Sequence, residues 1–207
     1  GQVWRSTDNG ATWTQVAGIT DTAGVDRITV AAAPSNRNTM YAMATKSNGG
    51  STDLANLFKS TDNGATWAGI GKSGTSFKSY SNTNTESSNL STLLNGQGWY
   101  NHVVLVDPSN ANVAYFGGAL LSIKTSDGGT TYKQISNWLA QFNLPYVHAD
   151  FHAGHIASNG TLYFGTDGGI FRSTDAGTTF THALNEGIAS HLVYQVGSSL
   201  NNRNAVI

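Results

Sequence analysis

The residues of this sequence that could do chemistry are concentrated in one short stretch. Residues 146–155 read Tyr-Val-His-Ala-Asp-Phe-His-Ala-Gly-His and hold three of the six histidines. In a β-strand, alternate side chains point to the same face, so His148, Asp150 and His152 are predicted to share a face. Imidazole and carboxylate groups suit zinc, manganese or iron, and they could equally act as general acid and base.

A more ordinary role for the same three residues is the hydrogen-bonded lining of a water-filled channel. His-X-Asp-X-His lacks the diagnostic spacing of a signature such as HExxH. The sequence therefore implies no certain cofactor, and a divalent metal at His148, Asp150 and His152 is the one candidate.

Aromatic side chains are the second feature that could bind a ligand. Trp99 and Tyr100 precede a predicted strand, and Trp138 and Tyr146 lie in a connection between predicted units. Aromatic rings offer apolar area to sugar faces with little loss of entropy, although packing between sheets is an equally common role. His102 is predicted to face the same channel as the histidine-rich stretch. These five residues form the predicted ligand-binding set.

A nine-residue motif occurs four times in the sequence, and the elements around it are expected to position these residues. Each copy reads basic residue, Ser or Thr, any residue, Asp, any residue, Gly, any residue, Thr, aromatic. The aspartates are separated by 54, 65 and 48 residues. Such intervals indicate a repeat architecture. The copies are residues 5–13, 59–67, 124–132 and 172–180.

Each motif copy is predicted to be a hairpin turn. A short carboxylate accepts hydrogen bonds from backbone N–H groups just ahead of it, and glycine adopts positive φ at no steric cost. Thr and the closing aromatic residue suit the outgoing strand. The motif aspartates are therefore predicted to be structural. They are Asp8, Asp62, Asp127 and Asp175.

Two predicted strands precede each complete motif, and the motif joins two more. The fold class is thus all-β: residues 1–207 form part of one β-propeller with about three full four-stranded antiparallel blades and two partial ones. The last partial unit starts near His191 and has a turn at 201–203. Residues 71–98 are predicted to be a polar surface insertion and residues 46–55 a polar loop. The chain opens and ends inside predicted strands, which indicates a partial segment.

Composition excludes several classes of protein. Charged residues are only 11% of the chain and the formal net charge is −1, so no electrostatic footprint for nucleic acid or anionic membrane is present. No apolar run reaches the length of a transmembrane helix, so no membrane insertion is expected. Cysteine is absent, which excludes disulfides and thiolate sites. Few lysines and abundant Asn, Thr and Gly are typical of a secreted or cell-surface bacterial protein.

The repeated motif resembles the Asp-box, or BNR repeat. That repeat occurs in sialidases, in the xyloglucan-cleaving family 74 glycoside hydrolases, in sortilin-type receptor propellers and in other secreted bacterial propellers. The resemblance covers nearly the whole chain outside residues 71–98. It implies a propeller whose blades carry Asp-box hairpins. It leaves activity open, because catalytic and non-catalytic members share the motif.

The same resemblance suggests a catalytic role for Asp167. Residues 165–172, Gly-Thr-Asp-Gly-Gly-Ile-Phe-Arg, are similar to a Gly-Thr-Asp-X-Gly-Gly-X-Tyr-Arg stretch that carries a catalytic carboxylate in family 74 enzymes, with one residue fewer after Asp167. Glycoside hydrolysis usually needs two carboxylates, and Asp150 is the second candidate. Asp-Gly-Gly is also an ordinary turn sequence.

Recognition of a polysaccharide or a surface protein is the function that these patterns favour. The alternative is glycoside hydrolysis of the xyloglucan-cleaving type, through Asp167 and Asp150. A metal site at His148, Asp150 and His152 is the third hypothesis. An arc of blades leaves unpaired strand edges, so the remaining blades of the same propeller are expected as a further partner.

Overall fold

The computed structural model describes residues 1–19, 25–72, 75–77, 88–140 and 143–187. Over these residues the regular secondary structure is almost entirely β-strand, with short 3-10 helices at Leu90–Thr92 and Ala183–Asn185. The first sheet contains β3 (Val25–Ala33), β4 (Asn36–Asn48), β5 (Ser51–Ser60) and β6 (Ala68–Lys72). The second contains β9 (Val103–Val106), β10 (Ala114–Gly117), β11 (Leu121–Thr125) and β12 (Lys133–Asn137). The third contains β13 (Phe151–Ile156), β14 (Leu162–Thr166) and β15 (Gly169–Ser173).

Two short pairs complete the strands. They are β1 (Trp4–Arg5) with β2 (Thr14–Gln15), and β7 (Ser76–Phe77) with β8 (Ser88–Asn89).

Each large sheet is an antiparallel meander in which neighbours in sequence are neighbours in space. The third sheet gains the start of a fourth strand where Thr181 pairs with Arg172. In the first and second sheets the repeated motif joins the third and fourth strands, and in the third sheet it joins β15 to Thr181. β1 and β2 flank the first copy in the same way. The predicted four-stranded units are confirmed.

The three sheets lie side by side with their first strands together, since β9 contacts both β3 and β13. One hydrophobic cluster, which includes Tyr41, Leu57 and Phe116, fills the space between the first and second sheets. Another, which includes Tyr115 and Phe164, lies between the second and third. Sheets packed face to face around adjacent inner strands are the arrangement of β-propeller blades.

The predicted polar loop at residues 46–55 is wrong. β4 runs through Asn48, turns at Gly49 and Gly50 with φ of 59° and 97°, and returns as β5. Side chains of β5 alternate between buried and half-buried positions, with Thr52, Leu54 and Asn56 on the buried side. Polar residues on alternate positions therefore belong to a strand with one partly exposed face.

Part of the predicted surface insertion at residues 71–98 lies in the core. Leu90, Leu93 and Leu94 are fully buried between the first and second sheets. The backbone N–H of Gly98 donates to the carbonyl of Thr52 at 2.7 Å, which ties the segment to β5. Its apolar residues pack inside because they cover the side of the first sheet. The predicted unit from His191 lies outside the described residues.

The motif forms one turn, and Asp62 shows its geometry. The carboxylate accepts hydrogen bonds from the Ser60 hydroxyl at 2.7 Å, the Thr66 backbone N–H at 2.9 Å and the Thr66 hydroxyl at 2.6 Å. The Gly64 N–H donates to the Ser60 hydroxyl oxygen at 2.9 Å. Asn63 and Gly64 have φ of 56° and 77°, which only a few residue types adopt easily. The same hydrogen bonds recur around the other three motif aspartates.

These hydrogen bonds favour the charged carboxylate. The hydroxyl of the threonine four residues ahead contributes most to lowering the pKa of Asp8, Asp62 and Asp175 to about 2. At Asp127, burial acts in the opposite direction, but hydrogen bonds led by those from Thr131 outweigh it and also lower the pKa to about 2.

The low pKa values predict acid sensitivity. In the unfolded chain these carboxyl groups have the ordinary aspartate pKa of 3.8, whereas in the folded chain their pKa is about 2. This contribution to stability is therefore complete above about pH 4 and is lost as the pH falls to about 2. Urea unfolding measured between pH 6 and pH 2 should show this decline, and Asp175→Asn should make it shallower. Parallel curves for the two proteins would contradict the assignment.

Candidate functional site

The candidate residues and the motif copies lie at opposite ends of the sheets. In each large sheet the motif joins the third and fourth strands, so it lies at the end where the first strand finishes. Trp99 and Tyr100 precede β9, His152 is the second residue of β13, and Asp167 follows β14. We call the group formed by Trp99, Tyr100, Asp150, His152 and Asp167 the rim.

Trp99 and Tyr100 form an exposed aromatic pair. Their side chains are 61% and 49% exposed, and the ring centroids are 5.1 Å apart with an interplanar angle of 31°. The Tyr100 ring also meets the His152 ring edge to face, with centroids 4.6 Å apart. Three rings from two elements of the chain are thus contiguous.

Neighbouring elements fix the backbone of this pair. Arg27 in β3 donates from Nη1 to the carbonyl oxygens of Trp99 at 3.2 Å and Tyr100 at 2.6 Å. Asn101 Nδ2 donates to Asp150 Oδ1 at 2.5 Å. The connection between the first and second sheets is therefore held to the first sheet on one side and to the start of the third on the other.

His152 and Asp167 form a partly exposed ion pair or charge-assisted hydrogen bond. His152 Nε2 lies 2.6 Å from Asp167 Oδ1, and the side chains are 30% and 51% exposed. Pairing of Phe151 with Thr166 across β13 and β14 places the two residues next to each other. A second carboxylate oxygen on Asp167 remains for a ligand, because only Oδ1 contacts the histidine.

Asp150 has a supporting position in the rim. Its φ is 66°, a left-handed conformation that aspartate tolerates better than most residues. Its backbone N–H donates to the Ala119 carbonyl at 2.6 Å, and its carbonyl accepts from the Asp167 N–H at 3.3 Å. Asp150 thus joins the second sheet, the third sheet and Asn101.

The predicted metal group does not form. β13 begins at Phe151, so His148 and Asp150 precede the strand and the expected alternation fails. His148 Nδ1 is 3.1 Å from the Ala149 carbonyl oxygen, whereas the Asp150 and His152 side chains contact Asn101 and Asp167. Among the residues described, no three His, Cys, Asp or Glu side chains are arranged to hold a metal ion.

His102 is buried and does not face the rim. It is 3% exposed, and its Nδ1 lies 2.5 Å from the Thr29 hydroxyl. Burial, followed by the positive charge of Arg27, lowers the pKa of His102 to about 3, so the imidazole is neutral. His102 therefore packs between the inner strands and does not face a ligand at the rim, contrary to the prediction.

Trp138 and Tyr146 lie in the connection between the second and third sheets, as predicted, but the contacts described below are with residues outside the rim. The Trp138 backbone N–H donates to the Leu120 carbonyl at 3.2 Å, and the Trp138 side chain is 41% exposed. The Tyr146 ring packs against Phe171 with centroids 5.6 Å apart. Arg27 and Asn101 were not among the predicted site residues, since nothing in their local sequence marks contacts to distant residues.

A groove of about 570 Å³ lies between β12 and the third-sheet motif, away from the rim. Tyr132, Ile135, Leu144 and Gly177 are among its lining residues, together with two lysines but no histidine or carboxylate. The rim is preferred as the candidate site because it combines exposed rings with hydrogen-bonding groups.

Comparisons with known proteins support the fold. An ancestral GH74 enzyme matches with a TM-score of 0.51 and 19% identity over 86% of this chain and 20% of that one. The GH74 enzyme of Niastella koreensis matches with a TM-score of 0.53 and 24% identity over 86% of this chain and 26% of that one. This chain thus spans about a quarter or less of those enzymes. No protein-family model and no curated protein matches the sequence.

Proposed function

We propose that the chain is a recognition segment of a propeller and that its rim binds a polysaccharide. The observation that carries the proposal is the exposed, fixed pair Trp99 and Tyr100. Two large rings held by backbone hydrogen bonds offer apolar area to a sugar without a large loss of side-chain freedom. Isolated exposed rings are common on protein surfaces, whereas a contiguous group beside polar partners points to a site.

The polar side of this site is the pair of His152 and Asp167. A carboxylate oxygen accepts hydrogen bonds from sugar hydroxyls, and the paired imidazole holds the carboxylate in place. Tyr100 joins the two parts because its ring touches His152. The arrangement suits a neutral sugar chain that lies across the rings and donates to Asp167.

We also propose that the protein is secreted or lies on the cell surface of a bacterium. This location is supported by the composition, which is low in charge and free of cysteine. None of the helices in the described part of the chain has the length and hydropathy needed to cross a bilayer. The remaining blades of the same propeller are the proposed structural partner.

Hydrolysis of a glycosidic bond is the second candidate, favoured by the likeness in fold to GH74 enzymes. It would use Asp167 and Asp150 as acid and base or nucleophile. The Asp150 carboxylate is bound by Asn101, however, and Asp167 by His152. These contacts favour a positioning role for Asp150, so recognition is the preferred function.

A binding screen distinguishes the two functions. The 207-residue chain is run in affinity electrophoresis through gels that contain xyloglucan, cellulose derivatives, mannan or xylan. Trp99→Ala/Tyr100→Ala is expected to lower affinity for the retarding polysaccharide by roughly tenfold to a hundredfold, since each stacked ring contributes about 0.5–1.5 kcal/mol and the two rings together about 1–3 kcal/mol. Trp13→Ala is the matched control, because Trp13 is 59% exposed at the motif end.

Retardation that is equal in the double variant and in Trp13→Ala would contradict the rim as the site. Release of reducing sugar that Asp167→Asn or Asp150→Asn abolishes would establish the hydrolase instead. Binding to a surface protein but to no polysaccharide would show that the ligand is a protein and not a polysaccharide.

A further inference from the structure

Two lysines lie opposite each other in the second sheet, at the groove between β12 and the third-sheet motif. Lys124 in β11 and Lys133 in β12 are in register as direct cross-strand partners. Residues that pair in this way have Cβ atoms about 4.5–5.5 Å apart, and like charges at such positions are destabilising. Both lysines line the groove. The groove therefore carries two positive charges side by side.

The other motif copies lack this pairing of like charges. In each of them the first residue of the motif is a cation that lies opposite a neutral residue, namely Thr14, Ala68 or Thr181. The fold therefore forms with threonine or alanine at this position. Lys133 is the departure from the pattern, and the formation of the sheet does not explain it.

The ammonium group of Lys124 is partly withdrawn from water. Its Nζ lies 5.3 Å from the centroid of the Tyr115 ring and donates to the Ala176 carbonyl oxygen at 3.3 Å. Burial contributes most to lowering the pKa of Lys124, the Asp107 carboxylate acts in the opposite direction, and the charge of Lys133 lowers the pKa further. A bound anion would offset both the burial of the charge and the repulsion between the two lysines.

The aspartates of the two adjoining motifs are bound within their own turns. Asp127 accepts hydrogen bonds from the backbone N–H and hydroxyl of Thr131, and Asp175 accepts the same pair from Thr179. Neither aspartate lines the groove, and the lining residues that the structure describes include no other carboxylate. The charges that a ligand in the groove would meet at close range are therefore those of the two lysines.

Packed elements build the walls of the groove. Ile135 and Leu144, which are 4% and 6% exposed, supply apolar surface. Gly177 lies so close to Ile135 that a Cβ on the glycine would be 2.8 Å from the isoleucine Cδ1. The Pro145 carbonyl accepts from the Asn137 backbone N–H at 3.1 Å, which holds the connection beside β12. A volume of about 570 Å³ is in the range of small-molecule sites.

We propose that this groove binds a small organic anion. The charged group of the ligand, a carboxylate or a sulfonate, lies between the ammonium groups of Lys124 and Lys133. The apolar part of the ligand packs on Ile135 and Leu144. Charge-assisted hydrogen bonds hold the anion, and burial of apolar surface adds to the affinity. The groove is separate from the rim, so this site is additional to the one proposed for a polysaccharide.

Fluorescence titration with anilinonaphthalene sulfonate tests the site, because this dye combines a sulfonate with an apolar ring system. The 207-residue chain is expected to bind the dye saturably. Lys133→Thr, which introduces the residue present at the matching position of two other motif copies, should weaken binding about fivefold or more. Lys133→Arg should retain binding, because it keeps the charge. Lys46→Thr is the matched control, since Lys46 is an exposed lysine of β4 outside the groove.

The uncharged dye phenylnaphthylamine separates recognition of charge from burial of apolar surface. It has the same rings without the sulfonate, so Lys133→Thr should leave its affinity unchanged. Added NaCl should weaken binding of the sulfonate dye and not of the uncharged one. Urea unfolding should show that Lys133→Thr is at least as stable as wild type, because the substitution removes a pair of like charges.

The proposal would be overturned by a wild-type chain that does not bind the sulfonate dye saturably, or by equal affinities in Lys133→Thr and Lys46→Thr. A Lys133→Thr protein that loses both dyes equally, or that is less stable than wild type, would assign Lys133 a structural role instead. The Trp99→Ala/Tyr100→Ala protein should bind the sulfonate dye as wild type does. Loss of binding in that variant would place the dye on the rim and contradict the groove as its site.

Discussion

Phe164→Ala is expected to reduce the free energy of unfolding by about 3–5 kcal/mol. Phe164 is fully buried in β14, the central strand of the third sheet. Its ring meets Phe151 edge to face at 5.0 Å and stacks with Phe180 at 5.8 Å. Backbone ladders hold β14 on both sides, so the sheet cannot close the cavity that the substitution leaves. Urea unfolding at neutral pH measures the loss.

Ile170→Ala is the matched control for this prediction. Ile170 lies in the neighbouring strand β15, and its side chain is 41% exposed. Its substitution should change the free energy of unfolding by about 0.5 kcal/mol. Equal losses for the two variants would show that the cluster between the second and third sheets contributes less than its burial indicates.

Gly118→Ala is expected to reduce the free energy of unfolding by about 3 kcal/mol or more. A Cβ on Gly118 would lie 1.9 Å from the Leu93 carbonyl oxygen and 2.7 Å from its carbonyl carbon. The neighbouring Ala119 N–H donates to that same oxygen at 3.0 Å, and the Gly118 carbonyl accepts from Phe151. The added methyl group would clash with backbone atoms, which cannot move aside as the end of a flexible side chain can. Relief of the clash would therefore disturb the hydrogen bonds that join this segment to Leu93 and Phe151.

Gly165→Ala separates this clash from the general effect of adding a methyl group. A Cβ on Gly165 would lie 3.5 Å from the nearest atom, which is ordinary van der Waals contact. This substitution should be neutral or stabilise by about 0.4–1 kcal/mol, because alanine lowers the entropy of the unfolded chain. Thermal unfolding of the two variants gives the comparison, and a Gly118→Ala protein as stable as Gly165→Ala would refute the packing argument.

The repeated turn could be predicted in detail because its interactions are local. Every hydrogen bond that Asp62 accepts comes from within four residues of it, so residue types and spacing are sufficient. The order of strands around the motif followed from the same repetition. The resemblance in fold to GH74 enzymes agrees with that organisation.

The parts that escaped prediction depend on distant contacts. The polar composition of residues 46–55 indicated a loop, yet partners on both sides extend β4 and β5 through it. Leu90 and Leu93 gave no periodic signal, because their burial comes from packing between two sheets. Arg27 reaches Trp99 across 72 residues of sequence, and no local pattern records that contact.

Because the motif end and the rim lie at opposite ends of the sheets, the protein can be attached to a surface at the motif end without covering the rim. The chain contains no cysteine, so a single cysteine introduced in place of Ser35 would be its only thiol. Ser35 lies in the exposed turn between β3 and β4, at the same end as the motif hairpins. A chain tethered to a sensor surface through that thiol would stand with Trp99 and Tyr100 facing the solution, and all immobilised molecules would share one orientation.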